Sequence, residues 1–263
     1  MRVYLFAVLH DRPTSWACDP GNWTHARPPM PMPDQSTLSR RLRRPGVARL
    51  LTMLLDELEE ADPARGPGAI VRRIDGKPLP VARHSGDKQA TFGRGAGGLA
   101  KGYKLHAVYA KSNKPTTFAV MPMHIDERRV AERLLAEAGP GYVLGDANYH
   151  ATRLFDAAEA NDQVLVAPRR KARGRRPPKG TGSRPQSRAR LAMIDRLEGP
   201  DPFVRQLLAT RRQVETCFAN LCNFGGGLSG LPAWVRGDRV VPWVTGKIGI
   251  RLARDRHQAS VAA

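Results

Sequence analysis

The sequence has few cysteines and no long apolar run. It contains three cysteines, Cys18, Cys217 and Cys222, whose spacing matches no metal-binding motif. This small, odd number excludes a disulfide framework and fits a reducing compartment. No stretch of 18 apolar residues occurs, so no segment is expected to span a bilayer. The opening run MRVYLFAVLHDRP lacks the length and the small-residue cleavage site of a signal peptide.

Acidic residues are also scarce. The 263 residues include 24 acids against 43 lysines and arginines, which gives a formal net charge of +19. A chain this basic is expected to have a polyanionic partner, and nucleic acid is favoured. A membrane surface is less favoured, because the charge does not accompany a long amphipathic apolar face. An apolar fraction of 41% can form the core of one large domain, or of one domain with a small appendage.

The segment PDQSTLSRRLRR predicts a short basic helix near the N-terminus. Asp34 or Ser36 can cap its start, and Leu38 and Leu42 form its buried side. Four arginines crowd its second half: Arg40, Arg41, Arg43 and Arg44. Such a helix suits the groove-reading helix of a helix-turn-helix, and a plain basic surface helix explains the pattern equally well.

Changes in composition divide the chain. Residues 1–61 are expected to form a small helical region, which ends with the amphipathic helix GVARLLTMLLDELEEA. DPARGPG, residues 62–68, reads as a linker, and residues 256–263 as a tail. Residues 69–255 between them are predicted to form the main domain.

The main domain begins with three predicted strands and then alternates helices with strands. The predicted order is a strand at 69–76 ending on Asp75, two strands within 101–123 joined by a turn at 112–115, a helix at 126–139, a strand at 141–150, a helix at 151–160, a strand at 163–170 and a final amphipathic helix. This order predicts an α/β fold with a mixed sheet flanked by helices.

Three acidic residues stand out against this pattern. Asp75 and Asp146 follow apolar strands, where open α/β sheets place their sites, and Glu215 lies beside the apolar stripe of the final helix. If that helix packs across the same edge, three carboxylates converge and need cations between them, and Mg²⁺ or Mn²⁺ prefers such oxygen ligands. The alternative is that the strand-end acids are turn residues and that Glu215 only forms a surface ion pair with Arg211.

Residues 169–190 form a strongly basic segment. They hold ten basic residues and no acid, with Gly, Pro and Ser between them. No core can form there, so a mobile loop is expected. Phosphate contact is favoured over a merely solvated loop, because so many positive charges are uncompensated.

The sequence blocks resemble those of the DDE transposases of bacterial insertion sequences, which have a ribonuclease H-like catalytic fold. The matching blocks are IDGKPLPV, GYKLH, GDANYH and RRQVETCFANL, in that order, and the resemblance covers roughly residues 34–255. It implies that Asp75, Asp146 and Glu215 are the catalytic, metal-binding triad. It also implies two Mg²⁺ or Mn²⁺ ions, and cleavage and strand transfer of DNA.

The resemblance further implies partners and a location. The partners are the element's terminal repeats, target DNA and a second copy of the chain in a homodimer or higher assembly, in the nucleoid of a bacterial cytoplasm. Together with the basic segments, it predicts DNA contacts by Arg40, Arg41, Arg43, Arg44, Lys104, Arg169, Arg170, Lys171, Arg173, Arg211 and Arg212. The family often has Tyr and a basic residue where this chain has Leu208 and Cys222. Two alternatives therefore stay open: a DNA-binding remnant without catalysis, and a ribonuclease H-like nuclease without joining activity.

Overall fold

The computed structural model describes residues 1–60, 70–95, 97–110, 114–169 and 187–262. The helices are α1 (Arg2–Leu9), α2 (Thr14–Ala17), α3 (Gln35–Leu42), α4 (Gly46–Glu60), α5 (Glu127–Ala138), α6 (Thr152–Glu159), α7 (Arg188–Glu198), α8 (Pro202–Ala209), α9 (Gln213–Cys222) and α10 (Val240–Ala262). The strands are β1 (Val71–Pro80), β2 (Thr91–Gly95), β3 (Gly98–Tyr109), β4 (Pro115–Pro122), β5 (Gly141–Leu144) and β6 (Gln163–Val166). No helix in the described ranges has both the length and the apolar character needed to cross a bilayer.

The strands form one mixed sheet. Their order is β2-β3-β1-β5-β6, and β4 also pairs with β3. β1, β5 and β6 are parallel, whereas β2 and β3 are antiparallel. This sheet with its helices, and the helices that precede β1, confirm the predicted ribonuclease H-like α/β fold with a helical N-terminal region.

Two strands differ from the prediction. β1 continues through Asp75 to Pro80, so the expectation that the strand ends on Asp75 was wrong. Gly76 and Pro78 suggested a break in the sequence, but the extended backbone tolerates both. β2 was missed altogether, because the glycine-rich stretch TFGRG has little strand propensity and is recognisable only through its antiparallel partner, β3.

The helix that carries Glu215 is interrupted. The sequence predicted one continuous amphipathic helix, but a 3₁₀ turn at Thr210–Arg212 separates α8 from α9. The predicted single face through Leu208, Arg211 and Glu215 is therefore offset, because a 3₁₀ turn has fewer residues per turn than an α-helix. A further difference concerns residues 188–190, which were assigned to the basic loop and instead begin α7, where the Ser187 hydroxyl caps the helix.

One compact unit comprises the described residues within Met1–Arg65, Pro78–Tyr103 and Phe218–Ala263. In it, α4 packs along α10, and the fully buried ammonium of Lys247 lies 2.8 Å from Asp11 Oδ1. Trp16 and Trp23 both stack on Phe6, which agrees with their expected role as anchors. These contacts hold the N-terminal helices against the C-terminal helix.

The predicted basic helix belongs to this unit as α3. The Asp34 carboxylate accepts a hydrogen bond of 2.9 Å from the Thr37 amide, as expected for an N-cap, and Leu38 is buried. The four arginines are exposed. Arg40 and Arg41 lie in α3, but Arg43 and Arg44 lie beyond its end, so the expected crowding within the helix was only half right.

The second compact unit comprises the described residues within Gly66–Lys77 and Lys104–Cys217. Its core is an apolar cluster that includes Leu134 of α5, Val143 of β5 and Phe155 of α6, all fully buried. Each such side chain contributes about 1.5–3 kcal/mol to folding. All three acids that the sequence singled out lie in this unit.

Candidate active site

Asp75 and Asp146 lie at matching positions on two neighbouring parallel chain segments. The pairing of β1 with β5 sets Arg73 opposite Leu144, and each acid follows that pair by two residues. The two carboxylates are close enough for the charge of Asp146 to raise the pKa of Asp75. The structure thus brings two of the predicted site residues together, and their catalytic role stays a prediction.

The Asp75 carboxyl is held in a partly buried position. Burial is the main cause that raises its pKa to about 6, and the charges of Asp146 and Glu127 add to this effect. The Gly76 amide donates a 2.8 Å hydrogen bond to Asp75 Oδ1, and the Arg211 guanidinium lies 3.8 Å from Oδ2, which both favour the charged form. The net upward shift shows that negative charge at this position is undercompensated.

Glu215 lies in the first turn of α9, with a side chain that is 61% exposed. Arg211 Nη2 lies 3.3 Å from Glu215 Oε1, as the local i, i+4 spacing predicts. The same guanidinium also faces Asp75, so Arg211 links an acid of α9 to an acid of β1. The surface ion pair is therefore present, and it is also part of the candidate site.

Arg73 fixes the segment just before α9 to β1. This arginine is 8% exposed, and its guanidinium donates to the carbonyl of Thr210 at 2.9 Å, to the hydroxyl of Thr210 at 3.1 Å and to the carbonyl of Ala110 at 3.1 Å. Thr210 directly precedes Arg211, and Arg73 precedes Asp75 by two residues. The clamp therefore positions the helix that carries Glu215 beside the strand that carries Asp75. Sequence reasoning missed it, although a charge inside an apolar strand was a signal.

Glu127 is a fourth carboxylate at this site, which the sequence had assigned only to a helix start. It forms an ion pair with Lys104 and accepts a hydrogen bond from the Asn148 side chain. The Asn148 backbone amide in turn donates a 2.8 Å hydrogen bond to Asp146 Oδ1. A β-carbon built on Gly76 would lie 3.2 Å from Lys104 Cδ and 3.6 Å from Glu127 Oε1, so the network borders the residue that follows Asp75.

Two buried side chains next to these acids have unsatisfied polar atoms. Both ring nitrogens of His106 and the hydroxyl of Tyr149 have no hydrogen-bond partner among the described residues. Burial lowers the pKa of His106 to about 4, so its ring is neutral near pH 7. Burial and the charges of Asp75, Glu127 and Asp146 raise the pKa of Tyr149 well above its ordinary value, so it stays protonated as a potential donor.

The donor set suits a hard divalent cation. Asp75 and Asp146 offer adjacent carboxylate oxygens, the raised pKa of Asp75 marks excess negative charge, and the Tyr149 hydroxyl beside them is unsatisfied. Within the described part of the chain, no three His, Cys, Asp or Glu side chains are already arranged around a metal position. Asp75 and Asp146 fit as the core ligands, and Glu215 would have to part from Arg211 to join them.

Several predicted DNA contacts lie beside the site. A cavity of about 960 Å³ is lined by Arg169, Arg205, Arg211 and Arg212 over an apolar floor that includes Leu208. Arg212 is exposed, and Arg169 is exposed except for a weak approach to Glu198 at 3.9 Å. Lys104 is buried and paired with Glu127, whereas Arg170, Lys171 and Arg173 lie outside the described residues. Contact of any of these with DNA stays a prediction.

Comparison with known proteins identifies the family. A family model described as the transposase DDE domain matches residues 66–230, well over half of the chain. No curated protein and no solved structure matches the chain significantly. The match spans Asp75, Asp146 and Glu215 and confirms the resemblance seen in the sequence blocks. The chain therefore belongs to the DDE transposases.

Proposed function

We propose that this protein is a DNA transposase that binds the ends of its element, cuts them in a metal-dependent reaction and joins them to target DNA. The observation that carries this proposal is the adjacency of Asp75 and Asp146, with Glu215 linked to Asp75 through Arg211. A ring of acids with one bridging arginine suits chemistry at a phosphodiester, where charge on oxygen must be stabilised.

The residues have distinct roles in this proposal. Asp75 and Asp146, joined by Glu215, hold the divalent ions, and two bound Mg²⁺ or Mn²⁺ ions supply a deprotonated nucleophile and stabilise the leaving oxygen. Arg211 compensates the acids when they are unloaded and then becomes free for a phosphate. The Tyr149 hydroxyl, protonated and unsatisfied, can donate to an oxygen within the site.

Charge supports DNA as the substrate. The net charge of +19 includes exposed arginines at α3 and at the arginine-lined cavity next to the acids. Such charges bind phosphates with little regard to sequence, and base-specific reading of the terminal repeats is assigned to α3. Because two ends must be held together, the active form is a dimer or a larger assembly on DNA in the bacterial nucleoid.

A second candidate is a DNA-binding remnant of a transposase. It is favoured by Leu208 and Cys222, which replace side chains that the family often uses, and by the exposure of Glu215 in an ion pair. A nuclease that cuts without joining is the third reading, because cutting and joining use the same acids.

One experiment separates the three. Wild-type protein, Asp146→Asn and the exposed control Asp156→Asn are incubated with Mg²⁺ or Mn²⁺ and a supercoiled plasmid carrying the DNA that flanks the coding sequence. We expect nicking and joining by the wild type and the control, and neither by Asp146→Asn. Nicking without joining would identify a nuclease, and binding without nicking would identify a remnant. Full activity of Asp146→Asn would refute the site.

A further inference from the structure

The Glu127 network contains a buried cation beside the acid pair. The Lys104 side chain is 8% exposed, and its stem packs against the Gly76 backbone, directly after Asp75. A buried ammonium is costly unless a carboxylate compensates it. Glu127 supplies that carboxylate, at the first position of α5, where the helix N-terminus also favours negative charge.

The other oxygen of Glu127 acts on the second acid. It accepts the hydrogen bond from the Asn148 side chain, while the Asn148 backbone amide donates to Asp146 at 2.8 Å. One carboxylate thus orients the turn that carries Asp146 and restrains the lysine nearest to Asp75. The two effects meet at the acid pair from opposite sides.

From this arrangement, and resting on the proposed function, we infer that Glu127 is a positioning residue for the divalent cation site. It keeps the Lys104 ammonium away from Asp75 and holds Asp146 in place, so that both acids stay available to a metal ion. Glu127 does not itself need to touch the ion or the DNA.

Removal of the Glu127 charge has a defined consequence. Lys104 would then be a buried cation without its partner, and the carboxylates that remain near it are those of the acid pair. Its ammonium would turn to Asp75 and compete with a divalent cation for the same oxygens. Supporting residues of this kind typically change metal affinity by about 10- to 100-fold when they are replaced.

The test is a Mn²⁺ titration of the full chain without DNA, with free Mn²⁺ followed by its electron paramagnetic resonance signal. The variants are Glu127→Gln, Lys104→Met and the double variant, with Asp75→Asn as the site reference. Glu137→Gln is the matched control, because Glu137 lies in the last turn of the same helix and accepts a hydrogen bond from Thr117 instead. Melting temperatures establish that each variant is folded.

We expect Glu127→Gln to weaken Mn²⁺ binding by roughly tenfold or more. The double variant should restore affinity to within about threefold of wild type, because the competing ammonium is gone, and Glu137→Gln should have no effect. Restoration by Lys104→Met is a result that a merely structural role of Glu127 would not give.

Three results would overturn the inference. Unchanged Mn²⁺ binding by Glu127→Gln, with binding lost in Asp75→Asn, would overturn it and leave the proposed function intact. Weak binding that the double variant does not restore would assign Glu127 to packing alone. Unchanged binding by Asp75→Asn would overturn the metal site itself, and the proposed function with it.

Discussion

Asp75→Asn should stabilise the metal-free protein above pH 6. The pKa of Asp75 is raised from 3.8 to about 6, mainly by burial and then by Asp146 and Glu127. The folded state therefore binds a proton more tightly than the unfolded state does, and stability is lost as the pH rises from about 4 to about 6. Asparagine does not titrate, so the variant avoids this loss. It also keeps an oxygen that can accept the Gly76 hydrogen bond.

The size of the effect follows from the shift. About two pKa units correspond to about 3 kcal/mol. The Asp75 side chain is 27% exposed, so solvent screening reduces this value, and we expect roughly half of it. For a chain of this size, that is a rise in melting temperature of roughly 3–6 °C.

The assay is thermal unfolding in EDTA at pH 4 and at pH 8, for wild type, Asp75→Asn and Asp156→Asn. The gain of the first variant over wild type should be small at pH 4 and full at pH 8, whereas the control should show no such growth. Added Mg²⁺ should then raise the melting temperature of the wild type alone, because only the wild type binds it. A variant less stable than wild type at pH 8, or a gain that does not depend on pH, would refute the reasoning.

Three further predictions concern the same unit. Glu215→Gln should retain DNA binding and lose nicking by about a hundredfold or more, roughly 3 kcal/mol in the transition state, while Glu198→Gln, whose side chain is 62% exposed against 61% for Glu215, should nick normally. Equal nicking by both variants would remove Glu215 from the site. Arg73→Met should lower the melting temperature and the nicking rate together, because it unpairs the acceptors on Thr210, and loss of stability with normal nicking would contradict the clamp. Deletion of residues 170–186, which hold seven basic residues, should weaken binding to all DNA sequences and flatten the dependence of log K on log salt by about 0.9 per lost phosphate contact, and an unchanged slope would show that this segment does not touch DNA.

The sequence predicted the acid pair because local patterns are sufficient for it. Apolar strands ahead of Asp75 and Asp146 are visible in single stretches of about six residues, and parallel neighbours then bring the acids together. The sheet class followed from the order of strands and helices in the same way. The bounds of β1 did not, because Gly76 and Pro78 resemble a turn until a neighbouring strand supplies their context.

The supporting residues could not be predicted, because their partners are remote in the chain. Arg73 meets Thr210 across 137 positions, and Lys104 meets Glu127 across 23. No periodicity connects such pairs, and each residue alone has an ordinary explanation as a strand charge or a helix-start acid. The 3₁₀ turn before α9 is hidden for the same reason, since its Thr210 carbonyl accepts a hydrogen bond from a distant strand.

The two units differ in when the growing chain can complete them. The acid-bearing unit is complete once Cys217 has been made, whereas the other unit draws on three separate segments, the last of which begins at Phe218. In that unit, Asp11 meets Trp234, 223 residues later, and Lys247 beyond it. Contacts of such sequence separation form slowly and only late in synthesis. A ribosome that stalls after the DDE segment would thus release a chain with all three acids but without the partners that its first helices need.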